Sequence, residues 1–349
     1  YFGGKTQAVE KNTRVKARVK AHALKEFMNT KEKVVVMGHR LPDADSFGAA
    51  IGIYRAAKTL NKKAYIVIDN PTSSIIPLMN TFRDNQDYEA DMFVNNHEAK
   101  EIMDDNTLLV VVDTNKPSIT QCEDLLYMAK MIVVLDHHRQ GSDTIRNSVL
   151  SYIEPYASSA SEMVAEILQY FTEGIRIRNV EADSIYAGIM IDTDNFMQKT
   201  GVRTFEAAAF LRRCGADVTR VRKLFREDMN DYKARGETIR NAELFRGQFA
   251  ISECPSDYVD SPTVVGAQAA NELLNIVGVK ASFVLTEYKG VIYISARAID
   301  EVNVQIIMER MGGGGHLNMA GCQLETVNME GARNLLKSTL TEMQDGGEI

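Results

Sequence analysis

Residues 33–46 read K-V-V-V-M-G-H-R-L-P-D-A-D-S. The apolar, β-branched run stops at Gly38, and His39, Asp43 and Asp45 follow at once. A short continuous apolar run of this kind predicts a strand buried on both faces. Residues 46–60 carry a helical pattern. Asp45 and Ser46 have a plain structural reading as caps of that helix. The spacing H-x-x-x-D-x-D also has a chemical reading, because it delivers an imidazole and two carboxylates to one strand end.

The same grammar recurs downstream. Residues 64–68, 107–113 (T-L-L-V-V-V-D) and 131–136 (M-I-V-V-L-D) read as further strands, with helices between them and at 159–173 and 180–191. Alternating strands and helices predict an α/β fold, a mostly parallel sheet with helices on both faces. Functional groups in such a sheet gather beyond the carboxyl ends of the strands. The third strand ends in Asp113, followed by Thr114-Asn115, and the fourth in Asp136-His137-His138-Arg139. A later apolar helical run, G-I-M-I-D-T-D-N-F, delivers Asp192 and Asp194. Taken singly, each is weak: Asp113 reads as a turn residue, and a His-His pair means little. Together they crowd carboxylates that repel one another unless cations neutralise them. Imidazole and carboxylate ligands without thiolates suit Mn²⁺, Fe or Co better than Ca²⁺ or a structural zinc. Two metals about 3.5–4 Å apart need a shared carboxylate. Asp113, alone at its strand end, is the natural bridge.

The rest of the chain sets the context. Residues 204–240 are helical and charge-rich, a candidate linker. From 242 the texture changes: strands at 246–252 and 281–297, the latter a hairpin turning at Lys289-Gly290, and helices at 262–276 and 328–343, predict a smaller α/β domain. The division expected is 1–30 (linker helix and remnant of a preceding domain), 31–203, 204–240 and 241–349. Tyr1 to Gly4 reads as the tail of that preceding domain. Residues 5–28 are basic, and Val15, Val19, Ala23 and Phe27 recur as one helical face. That helix reads either as a solvated linker or as a signalling helix or contact for an acidic partner. The 349 residues carry a net charge of -7, which lacks the basic footprint of a duplex nucleic-acid binder. Four scattered cysteines without a C-x-x-C pair read as reduced thiols in the cytoplasm. No apolar run of about 18 residues predicts a membrane span.

The run Gly312-Gly313-Gly314-Gly315-His316, with Asn318-Met319-Ala320-Gly321 after it, completes a pattern. With Asp136-His137-His138, the chain resembles the DHH phosphoesterase superfamily, and the glycine run resembles the signature of its DHHA1 domain. The resemblance spans nearly all of 31–345 and is nearest to the cyclic-di-AMP phosphodiesterases, whose parent chains are membrane-anchored. It implies one Mn²⁺ on His39, Asp43 and Asp113 and a second on Asp45, Asp113, His137 and Asp192, other divalent metals being possible. His138 would stand beside the reacting phosphate, and Asp136 would orient its neighbours. Substrate contacts would come from Arg297, Gly313, Gly314, Gly315 and His316. Glycines let backbone N–H groups approach phosphate, although GGGG also reads as a flexible turn and Arg297 as a solvated strand end. The implied reaction opens cyclic-di-AMP to linear 5′-pApA in a cleft between the domains. The partner would be a cyclic dinucleotide, with no duplex nucleic acid and no membrane contact by this portion, in a homodimer on the cytoplasmic side. Rival readings are an oligonucleotide exonuclease or phosphoadenosine-phosphate phosphatase on the same scaffold, and a cyclic-dinucleotide sensor without hydrolysis.

Overall fold

Runs of Val, Ile and Leu build the first sheet. In the computed structural model its strands are β1 (Lys33–Met37), β2 (Lys63–Val67), β3 (Phe93–Val94), β4 (Thr107–Val112), β5 (Ile132–Asp136) and β6 (Leu150–Ile153). The structure describes residues 6–226, 228–257, 259, 261–299 and 302–349, with the side chains of 6–14 left aside, so Tyr1 to Gly4 lie outside the described residues. All strand pairs in this sheet are parallel, in the order β3-β2-β1-β4-β5-β6. Helices α1 (Thr6–Asn29), α2 (Ala44–Thr59), α3 (Ile76–Arg83), α4 (Asn96–Ile102), α5 (Asp124–Met128), α6 (Ala160–Phe171), α7 (Asn179–Asp192), α8 (Val202–Arg213) and α9 (Val218–Leu224) complete the unit.

Period-two alternation explains why the strands are apolar throughout. Val34, Val36, Leu108, Val110 and Leu135 point to a core shared with Phe47, Ile51, Val164, Leu168 and Ile185 of α2, α6 and α7. Val35, Met37, Leu109, Val111 and Val134 point the other way, onto Ala99 and Leu125 of α4 and α5. Both faces are covered, as a parallel sheet requires. The strand order reverses direction between β1 and β4, which are hydrogen-bonded neighbours. That is the topological switch point, where a crevice opens at the carboxyl edge.

The chain divides into two compact units after Arg226. The second comprises α10 (Met229–Arg240), β7 (Glu243–Phe245), β8 (Phe249–Cys254), α11 (Pro262–Leu273), β9 (Ala281–Tyr288), β10 (Val291–Ala298), α12 (Val304–Arg310), β11 (Gly314–His316), β12 (Met319–Leu324) and α13 (Met329–Asp345). Its sheet runs β11-β12-β10-β9-β8-β7, and β8 with β9 is its parallel pair. Lys289 and Gly290 are both left-handed, at φ 54° and 80°, as a tight two-residue hairpin demands. The run expected as one strand at 246–252 is broken instead: Arg246 and Gly247 turn at φ 50° and 74°, so β7 and β8 form a hairpin.

Two further expectations meet a different outcome. In α1, Val15 and Val19 are each 59% exposed, while Ala17, Ala21, Leu24 and Met28 are buried. Half of the expected face therefore holds, since Ala23 and Phe27 pack partly buried against the same core while Val15 and Val19 turn outward, and α1 is a packed helix. In the stretch 204–240, Ala207, Leu211 and Val221 belong to the first unit's core, and Ala234 to the second's. No helix among the described residues is long and apolar enough to cross a membrane. Cys122, Cys214, Cys254 and Cys322 are free thiols.

Candidate metal centre

The loop leaving β1 is pinned before it reaches the site. Arg40 N–H donates to the Ile119 carbonyl at 2.8 Å and Gln121 N–H to the Gly38 carbonyl at 2.8 Å, with His39 bridged to Thr120. Asp43 caps α2, its Oδ1 accepting from Ser46 N–H at 2.9 Å. Its Oδ2 lies 3.5 Å from His39 Nε2. The cap expected at Asp45 and Ser46 falls instead on Asp43, which gives one oxygen to the helix and turns the other to His39. Asp45, the second residue of α2 and buried, accepts from Ala160 N–H at 2.7 Å and Ser161 N–H at 2.8 Å. The N-terminus of α6 holds this carboxylate by two backbone donors.

Asp113 occupies the centre. It leaves β4 in a left-handed conformation, φ 57°, and its N–H donates to Leu135 O at 2.9 Å. Asp is among the few side chains that tolerate this region, and its occupation at a strand end is a mark of functional sites. Its Oδ2 is 3.3 Å from His39 Nε2 and its Oδ1 is 3.3 Å from His137 Nε2. His137 Nε2 is also 3.8 Å from Asp45 Oδ2 and 3.8 Å from Asp192 Oδ2. Asp192 ends α7, and the three residues Asp194, Asn195 and Phe196 that follow Thr193 are all left-handed, at φ 47°, 58° and 65°. Thr193 braces this turn, donating to Ile189 O at 2.6 Å and accepting from Phe196 N–H at 3.1 Å. Asp194 stands apart from the cluster, accepting from Gln198.

Three overlapping groups result, each with ligand atoms within 4.8 Å of one another: His39, Asp43 and Asp113; Asp45, His137 and Asp192; and Asp113, His137 and His138. Buried Asp113 Oδ1 and Asp192 Oδ2 have no hydrogen-bond partner. Orphaned buried carboxylate oxygens call for a cation. The imidazoles respond to the same deficit. Burial lowers the pKa of His39, but hydrogen bonds to Asp113 and Asp43 outweigh it and push it up to about 10. His137, opposed by burial but held by Asp113, Asp45 and Asp192, is pushed up to about 9. Burial, then the charges of Asp113 and Asp192, raise the Asp45 carboxyl well above the usual range. Burial likewise raises Asp192. Burial would also raise Asp43, but its bond to His39 lowers it. The mix of carboxylates and imidazoles fits divalent cations of the Mn²⁺ type.

Beside the cluster, His138 Nδ1 donates to Asp136 Oδ1 at 2.8 Å. Asp136 is fully buried and also accepts from Asn115 Nδ2, which bonds the His138 carbonyl at 3.3 Å. The His138 ring is 57% exposed, with its Nδ1 3.7 Å from Asp113 Oδ1. This leaves Nε2 as the ring nitrogen outside the bond to Asp136. In the second unit, Arg297 is half-buried near the end of β10; its Nη1 donates to Ala296 O at 2.9 Å and its Nε is buried without a partner. Gly313 and Gly315 are shaped by strand packing: a Cβ would fall 2.1 Å from Gly321 O at the first and 2.5 Å from Ala320 Cα at the second. The glycine run is thus the β11 end of a hairpin and its approach. Space beside Gly314 is open, and His316 is exposed.

Residues 33–189 match the DHH family, N-terminal domain, and residues 249–342 match the DHHA1 domain. The chain carries a DHH-family domain followed by a DHHA1 domain. It is 43% identical to the cyclic-di-AMP phosphodiesterase GdpP of Bacillus subtilis over 99% of this chain and 53% of that protein. It is 40% identical to the cyclic-di-AMP phosphodiesterase PdeA of Listeria monocytogenes over 97% of this chain and 52% of that protein. The DHH chain therefore spans about half the length of these curated relatives. An exopolyphosphatase-related protein of Bacteroides fragilis has the same fold, with a TM-score of 0.77 at 20% identity, covering 94% of this chain and 97% of that one.

Sequence reasoning placed His39, Asp43, Asp45, Asp113, His137, His138 and Asp192 of the DHH unit, and the structure gathers all of them. It missed Asn115 and the first turn of α6. Asn115 carried a signal, standing two residues after Asp113. Ala160 and Ser161 act through backbone N–H groups, which leave no residue-type signature.

Proposed function

We propose that this DHH protein is a two-cation phosphodiesterase that hydrolyses cyclic-di-AMP to linear 5′-pApA, with Mn²⁺ as its metal. The observation that carries the reading is the division of one carboxylate, Asp113 Oδ2 toward His39 and Oδ1 toward His137. That is the geometry a bridging ligand needs. His39, Asp43 and Asp113 would hold one ion, and Asp45, Asp113, His137 and Asp192 the other. Such ions, when bound, acidify a water and neutralise charge on phosphoryl oxygens. The substrate assignment is supported by the two relatives named for cyclic-di-AMP.

The chain's own groups have defined tasks in this reading. A water oxygen forms the new bond to phosphorus and gives up a proton to solvent, the bond to the 3′-oxygen breaks, and that oxygen takes up a proton. His138 Nε2 supplies it, with Nδ1 locked by Asp136 so that the ring keeps one orientation. In the DHHA1 unit, Arg297 neutralises phosphate; its buried, unpartnered Nε supports that role. The amides of Gly314 and Gly315, with His316, serve phosphate as well, whereas the Gly313 N–H expected among them is taken, donating to Met308 O at 2.8 Å. The proposal extends to a homodimer in the cytoplasm, within a membrane-anchored parent.

Product analysis tests the reading. The protein is incubated with Mn²⁺ and, separately, cyclic-di-AMP, cyclic-di-GMP, linear dinucleotide and phosphoadenosine phosphate. Cyclic-di-AMP consumed first, with pApA as product, is the expected result. Cleavage of linear dinucleotide alone assigns an oligonucleotide exonuclease instead, and tight binding without turnover assigns a sensor.

A further inference from the structure

Ser161 sits where three helices meet. Its N–H donates to Asp45 Oδ1 at 2.8 Å and its hydroxyl donates to the Asp45 backbone carbonyl at 3.0 Å. It therefore grips both ends of one residue. The side chain is fully buried, and it fits because two neighbouring helices present no side chain to it. On α2, a Cβ at Gly48 would lie 2.7 Å from Ser161 Oγ and 2.6 Å from Ser184 O. On α7, a Cβ at Gly188 would lie 2.2 Å from Ser161 Oγ, 2.9 Å from Ser161 Cβ and 3.0 Å from Ala44 O.

Helical periodicity turns this junction into a lever. Gly48 is three residues after Asp45 on α2, and Gly188 is four residues before Asp192 on α7. Residues three and four apart lie on the same helix face. The faces that close on Ser161 are thus the faces that, one turn on, carry Asp45 and Asp192. Those carboxylates stand 3.8 Å from His137 Nε2 on either side. Close-packed helices transmit a change of one methyl group as a shift of the backbone.

We propose that Ser161, seated between Gly48 and Gly188, is the positioning residue of the second cation subsite. Its hydroxyl and its small volume set the gap between Asp45 and Asp192 before any ion arrives. Of the other subsite, His39 and Asp113 stand on the loops after β1 and β4, and Asp43 alone borders this junction, as the cap of α2. The proposal rests on the two-cation reading above.

The test is a Mn²⁺ titration of the full chain followed by electron paramagnetic resonance. Asp43→Asn and Asp192→Asn mark which class of site is which, and thermal unfolding in chelator checks the fold. Ser161→Ala is expected to weaken the class lost in Asp192→Asn by about fivefold, the effect of one neutral hydrogen bond. Gly188→Ala is expected to weaken that class by roughly tenfold or more through overpacking. Ser161→Gly with Gly188→Ala, which relieves the contact with Ser161 but also deletes its hydroxyl bond, is expected to recover affinity only to about the level of Ser161→Ala. The class lost in Asp43→Asn is expected to weaken less than the other throughout. Unchanged affinity at both classes in Ser161→Ala, or equal weakening of both, overturns the positioning role. A wild-type chain that binds no Mn²⁺ overturns the two-cation reading itself, and the proposal with it.

Discussion

At the scale of single residues, charge decides the site. Asp113 adopts φ 57°, a conformation that Asn also tolerates, so Asp113→Asn removes the charge and keeps the backbone. Turnover is expected to fall by at least about a thousandfold, the weight of several kcal/mol of lost charge stabilisation. The metal-free thermal midpoint should shift little, since relief of carboxylate repulsion offsets the lost contacts to His39 and His137. Near-normal turnover in that variant removes Asp113 from the bridging position. The imidazoles give a pH signature. His39 and His137 are pushed from 6.5 up to about 10 and about 9 by their acidic neighbours. A raised folded-state pKa contributes stability that is complete below the unfolded value and is lost as pH rises through the folded one. Metal-free protein should therefore lose stability between about pH 6.5 and pH 10, and Mn²⁺ should abolish that loss. Cation binding near pH 7 should release protons, visible as a buffer-dependent heat in calorimetry; a heat independent of buffer contradicts the assigned protonation. These residues were legible in sequence because each carries its own chemistry at the end of an apolar run. Asn115 was not singled out, because an amide that orients a carboxylate looks like any loop Asn.

At the scale of elements, close packing explains what residue type alone left open. Gly313 and Gly314 are neighbours with opposite surroundings: a Cβ at Gly313 would meet Gly321 O at 2.1 Å, and one at Gly314 would meet open space. Gly313→Ala is expected to destabilise the protein by about 1–3 kcal/mol in urea denaturation through overpacking. Gly314→Ala should leave stability nearly unchanged, so a fall in its substrate affinity would report the loop's contact with phosphate. In α1, Leu24 is fully buried whereas Val19 is exposed. Leu24→Ala should cost roughly 2–4 kcal/mol, and Val19→Ser almost nothing; comparable losses would contradict the packing of α1. The long strands and helices of the first unit were readable because their periods are clean. Half of the buried face of α1 was misjudged, because Val draws attention while Ala17 and Ala21 make the close approach. Short β3, β7 and β11 carry too few residues to show a period at all.

At the scale of the whole molecule, each unit has its own core: Phe47, Ile51 and Leu168 in the first, Phe283, Ile294 and Leu336 in the second. Residues 227–349 expressed alone should unfold cooperatively and bind no Mn²⁺, while residues 1–226 should retain both cation subsites. Absence of cation binding in the isolated first unit would place a required ligand elsewhere. The two-unit organisation was visible as a change of texture near residue 242, but charge-rich helices hid where one core ends, since α8 and α9 are buried along one narrow side. The most direct test of the shared carboxylate is anomalous diffraction from crystals of this chain grown with Mn²⁺. Two peaks about 3.5–4 Å apart, with one oxygen of Asp113 on each, are the predicted result. A single peak, or two peaks of which one lacks Asp113, would contradict it.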